Sequence, residues 1–156
     1  SYHLNMVRVD KDGISFSGLN TQALLALSAD LSVSEICSLP KGCHNAMPYG
    51  EGILFNDTAS DAVRYVARNA KQVAIPVPSF QDGELEYRGV DDSRIARQGF
   101  GRGLCIIDEQ LVAAGSSPST VSIIDLEAGE RLTAVNLTMD IRNAIHGLEC
   151  WPNSWS

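Results

Sequence analysis

The sequence predicts an all-β chain built from one four-stranded unit used about three times. Two observations carry this expectation: short apolar segments recur in register, and each is bounded by a turn rich in Gly, Asp or Asn. A third observation is the lack of helical periodicity, since no segment keeps apolar residues at i, i+3, i+4 and i+7 for three turns.

The repeat is clearest in its middle. Gly13 precedes Ile14-Ser15-Phe16-Ser17, Gly52 precedes Ile53-Leu54-Phe55-Asn56, and Gln110 precedes Leu111-Val112-Ala113-Ala114. A second strand follows each of these, over 24–27, 63–67 and 121–125. It begins ten residues after the first in every case: Ile14 to Leu24, Ile53 to Val63, Leu111 to Val121. A third strand follows a polar turn, at 33–39, 73–77 and 132–137. Residues 59–72 suit a short helix locally, through Ala59, Ala62, Val63, Val66 and Ala67. The register with the other two copies predicts strand instead.

A further strand precedes each set, at 3–9, 44–49 and 103–107, and enters the turns Asp10-Lys11-Asp12-Gly13, Gly50-Glu51-Gly52 and Asp108-Glu109-Gln110. Four antiparallel strands per unit, joined by tight turns, is the construction of a β-propeller blade. Gly13 and Gly52 stand 39 residues apart, close to the roughly 40–45 residues of a blade. The expected blades span 1–41, 42–78 and 98–139, with an inserted polar loop at 79–97 and an orphan strand at 142–151. A sandwich or jelly roll is the competing all-β expectation.

Three blades do not close a ring, which needs about 4–8. Exposed blade faces invite association, so the expected partner is another copy or a companion chain completing the propeller. A net charge of −7, with no block of Lys or Arg to offset it, predicts no nucleic-acid partner. No apolar run approaches the roughly 18 residues of a membrane span, and no membrane partner is expected. Cys37, Cys43, Cys105 and Cys150 are dispersed without a CxxC pair. They read as buried or half-buried thiols, which favours a cytoplasmic setting.

His3 and His44 open the first strands of the first two units, and His146 lies in the orphan strand. Innermost propeller strands line a central channel, so the three imidazoles are the candidate metal ligands, for a divalent transition metal with an open coordination position. Asn5, Asn45 and Asn143 accompany them as ligand-binding candidates. Arg102 is the fourth, offering a charge to an anionic group at the channel mouth. The competing expectation is that these His and Asn side chains satisfy backbone groups and tie the blades together. No Ser-His-Asp order or nucleophile elbow appears, so no residue is assigned a catalytic role. The functional expectation is a small-molecule site on the propeller axis, with or without metal assistance; its alternative is a non-catalytic protein-interaction scaffold.

The phrasing of His3-Leu4-Asn5, His44-Asn45, Asp12-Gly13 and the run 121–129, with its pattern v-x-i-i-D-l-x-x-G, resembles the six-bladed propellers of the NHL, gluconolactonase and strictosidine synthase type. The resemblance implies architecture over nearly the whole chain. Gluconolactonase-like enzymes hold a divalent cation with Glu, Asn and Asp at the axis. That full set has no counterpart in this sequence, so their activity does not follow.

Overall fold

A computed structural model of the chain describes residues 3–87 and 97–151. Its described residues form twelve strands and no helix. The strands make three four-stranded antiparallel sheets, each in simple up-and-down order. The chain divides into two compact units, Ser1–Val77 and Pro78–Ser156.

The first unit holds two sheets. One contains β1 (Leu4–Asp10), β2 (Gly13–Gly18), β3 (Ala23–Leu27) and β4 (Val33–Ser38); the other contains β5 (Cys43–Tyr49), β6 (Gly52–Asp57), β7 (Ala62–Ala67) and β8 (Gln72–Pro76). The locally helical stretch is therefore strand, because its apolar residues are needed in a ladder with β6. The second unit holds β9 (Gly101–Ile106), β10 (Leu111–Ser116), β11 (Thr120–Asp125) and β12 (Glu130–Asn136).

The turns explain the recurring Asp and Asn. Between β3 and β4 the Asp30 carboxylate accepts the Ser32 N–H at 3.0 Å; between β7 and β8 the Asn69 amide oxygen accepts the Lys71 N–H at 3.0 Å. Between β11 and β12 the Asp125 carboxylate takes the N–H groups of Glu127 and Ala128 at 2.9 and 2.8 Å. These short side chains supply the acceptor that a tight turn lacks. Leu31, Ala70 and Gly129 in the same three turns all have left-handed φ (65, 67 and 72°), so the sequence places a glycine at one of three positions that favour it.

The core of the first unit lies between its two sheets, where Leu24, Leu39, Cys43, Ala46 and Phe55 pack with Cys37, Ile53 and Val66. On the other side of the first sheet the pairing aligns an apolar row across all four strands. Val9 faces Ile14, Ile14 faces Leu27, and Leu27 faces Val33. The adjacent row runs Val7, Phe16, Leu25. Directly paired residues project from one face of a sheet, so these seven side chains share it. Val7, Val9 and Val33 are 61%, 73% and 55% exposed.

The expected orphan strand at 142–151 forms no ladder. Asn143 closes a turn onto the Asp140 carbonyl at 3.0 Å, and Ile145 N–H donates to the Ser116 carbonyl at 3.3 Å. The segment is seated because Gly103 and Gly115 lack side chains: a Cβ on Gly115 would stand 2.5 Å from the Ile145 side chain. Residues 88–96 of the expected loop at 79–97 lie outside the described residues, and its near ends are tied. Phe80 N–H donates to the Gln98 amide oxygen at 2.9 Å, and the Arg142 guanidinium stacks on Tyr87 at 3.5 Å.

Candidate functional site

Each sheet's first strand is irregular near its start. Register breaks fall between Leu4 and Met6, between His44 and Met47, and in the pairing of β9 opposite Ala114 to Ser116. His3, Asn45 and Gly103 at these places have left-handed φ of 48, 55 and 75°. A bulge releases a residue from the ladder and re-aims its side chain.

In the first unit the released residue is Asn5, and its amide turns to the neighbouring sheet. Asn5 Nδ2 donates to the Cys43 carbonyl at 3.2 Å, while Oδ1 accepts the Asn45 N–H at 3.2 Å and the Ser17 hydroxyl at 3.5 Å. Asn45 Nδ2 returns to the Asn5 carbonyl at 3.4 Å, and Asn56 Nδ2 donates to Asn45 Oδ1 at 3.2 Å. The Ser17 hydroxyl accepts the Ala46 N–H at 3.2 Å. The result is a polar network joining β1, β2, β5 and β6. Asn5 and Asn45, named from sequence as ligand binders, direct these bonds to protein groups.

His3 is exposed, and its carbonyl accepts the Leu19 N–H at 3.0 Å. His44 is half-buried, with Nδ1 3.3 Å from the Gly42 carbonyl. Asp57 beside them binds the Ala59 and Ser60 N–H groups at 3.1 and 3.2 Å and pairs with Arg64 at 2.9 Å. That carboxylate serves a turn.

In the second unit, Arg102 on β9 meets His146, with Nη1 3.4 Å from Nε2. A guanidinium only donates, so in this contact Arg102 is the donor and the His146 ring nitrogen the acceptor. The Arg102 guanidinium lies 5.1 Å from the centre of the Phe100 ring. Burial lowers the Arg102 pKa from its usual value. Its Nε is buried without a hydrogen-bond partner. Asn143, the remaining expected ligand binder, is exposed in the turn after Asp140.

The three histidines thus fall in different units, His3 and His44 in one and His146 in the other. Among the described residues no group of three or more His, Cys, Asp or Glu is placed to hold a metal ion. The first unit also contains a cleft of about 680 Å³ lined by Cys37, Leu39, Ile53, Phe55, Val66 and Arg68, among others. Sequence reasoning missed it because its walls come from the outer strand of one sheet and from the strands and turns of the next. The Asn5 network lies at the other end of β5.

No family model matches the chain, and no curated protein matches it either. Among solved structures it resembles a catalytically inactive variant of virginiamycin B lyase from Staphylococcus aureus, determined with quinupristin, at 12% identity and a TM-score of 0.54. That likeness covers 86% of this chain and 41% of the lyase. The chain is a β-propeller segment. A streptogramin B lyase is also similar, at 11% identity and a TM-score of 0.43, over 80% of this chain and 41% of that one. The segment spans about 41% of the length of these solved structures. The likeness fixes a propeller architecture and stops short of the NHL or gluconolactonase type that the sequence resembles. Among the described residues no helix is long and apolar enough to cross a membrane.

Proposed function

We propose that this propeller segment works as part of a larger assembly, in which the open face of its first sheet docks against a further blade supplied by another copy or a companion chain. The observation that carries this reading is the row Val9, Ile14, Leu27 and Val33 across the whole sheet, flanked by Val7, Phe16 and Leu25. The opposite face of the same sheet already packs on a blade, through the core around Leu24 and Phe55. A second blade on the open face repeats that packing. Burying one exposed Val is worth about 1.5–3 kcal/mol, so the row supplies a substantial driving force. Sedimentation velocity over a concentration series tests the reading: self-association, or capture into a defined complex by a companion chain, is expected. A monodisperse monomer that binds no companion contradicts it.

A second reading rests on Arg102. Its unpartnered buried Nε and its Nη1 beside His146 favour a small anionic ligand, a carboxylate or phosphate, at the inner strand of the third sheet. Titration with inorganic phosphate, followed by the His146 ring resonances, checks this: a saturable shift lost in Arg102→Gln supports it, and an unmoved His146 refutes it.

A further inference from the structure

We propose that Cys105 and Cys150 form a peroxide-responsive dithiol pair whose oxidation fastens the segment 143–150 to the inner strand of the third sheet. The thiol of Cys105 points at Cys150 with 3.3 Å between the sulfurs, although 45 residues separate them in sequence. Both sulfurs also lie near the Ile106 carbonyl, at 3.6 and 3.7 Å. All four cysteines of the chain are free thiols.

The pair is asymmetric in a way that suits stepwise oxidation. Cys150 is exposed on a segment without a ladder, whereas Cys105 is buried next to the end of β9, opposite Ala113. Burial, and then the neighbouring Cys150, push the Cys105 thiol up to about 11. Cys105 thus keeps its proton and is shielded from solvent, and Cys150 is the sulfur a dissolved oxidant reaches first.

The chemistry balances with hydrogen peroxide as the oxidant. The Cys150 thiolate attacks one peroxide oxygen, the O–O bond breaks, and a sulfenic acid forms as hydroxide leaves. The Cys105 sulfur then attacks the Cys150 sulfur. The S–O bond breaks, the S–S bond forms, and the Cys105 proton leaves with the departing hydroxide as water. Two thiols and one peroxide give one disulfide and two waters, each sulfur losing one electron.

The consequence is local and structural. The segment is otherwise held by the Ile145–Ser116 backbone bond, the seat over Gly103 and Gly115, and the Arg102–His146 contact. A crosslink at its far end closes it onto β9 and covers Arg102 more persistently.

The test is a peroxide titration of the reduced, folded chain, with alkylation of remaining thiols after denaturation and peptide mapping. A linked peptide containing Cys105 and Cys150 is expected, reversible by dithiothreitol, forming at least about tenfold faster than any loss of Cys37 or Cys43. In Cys105→Ser, Cys150 accumulates as a sulfenic acid trapped by dimedone; in Cys150→Ser, Cys105 stays alkylatable. The Cys37→Ser/Cys43→Ser double variant retains the linkage if the assignment is right. Oxidation of Cys150 to sulfinic or sulfonic acid while Cys105 remains fully alkylatable overturns the proposal, as does a linkage that requires Cys37 or Cys43.

Discussion

The amide of Asn5 is bonded to the backbone of the neighbouring sheet on the two sides of His44: it donates to the Cys43 carbonyl and accepts the Asn45 N–H, each at 3.2 Å. Asn45 is left-handed and buried at a break in the ladder, and its N–H donates to this side chain. Asn5→Ala removes both bonds between the sheets, at a cost of about 1–3 kcal/mol. Urea unfolding checks this against Asn143→Ala, an exposed turn substitution expected to change stability by less than about 0.5 kcal/mol. Equal effects would deny Asn5 its bridging role.

Acid should loosen the turns before the sheets. The backbone N–H of Ala128, the Gln110 amide and the Glu127 N–H hold the Asp125 carboxyl below its usual value; Arg8 and the Asp12 N–H do the same for Asp10. A carboxyl with a depressed folded pKa adds stability that is present above its unfolded value, near 4. That stability is lost as pH falls through the folded value. The urea midpoint is therefore expected to drop below about pH 4, with a shallower drop in Asp125→Asn. An identical pH profile for that variant would contradict the turn assignment.

Leu31 is exposed and left-handed, at a position equivalent to Gly129. A non-glycine residue pays about 1–2 kcal/mol for that conformation, against about 0.5–1 kcal/mol of added chain entropy for glycine. Leu31→Gly is accordingly expected to be neutral to stabilising by up to about 1 kcal/mol in thermal unfolding. A clear destabilisation would show that the Leu31 side chain makes a contact of its own.

Gly115→Ala places a methyl group 2.5 Å from the Arg102 carbonyl and the Ile145 side chain. The Arg102 carbonyl belongs to β9 and Ile145 to the tail, so both must shift to admit the methyl group. Hydrogen exchange is expected to accelerate at Ile145 and in β9, while the β11–β12 pairing stays protected. Unchanged exchange at both Ile145 and β9 would contradict the close approach at Gly115.

How far the sequence carries the fold follows from where the information sits. Period-two apolar segments and Asx-type turns are local, so the strands of all three sheets and the strand at 62–67 were legible. The phrase ending in Gly129 is one such turn, with Asp125 bonding the two following N–H groups. The tail misled because Arg142 to Trp151 has the composition of a strand but meets β9 over glycines and forms no ladder with it. The site was legible only in part. Asn5 and Asn45 stand at matching strand starts, as expected, yet their mutual bonding depends on a bulge and a left-handed residue that composition does not encode. The Cys105–Cys150 approach is a tertiary contact, and no spacing rule anticipates it.

The open face of the first sheet is the claim on which the functional reading rests. Sedimentation of the chain with Val9→Lys, set beside Leu132→Lys on the exposed outer strand of the third sheet, tests it most directly. The account predicts that Val9→Lys abolishes association and leaves the circular dichroism of a folded β chain, while Leu132→Lys still associates. Association that survives Val9→Lys, or an unsubstituted chain that stays monomeric and captures no companion, would contradict it.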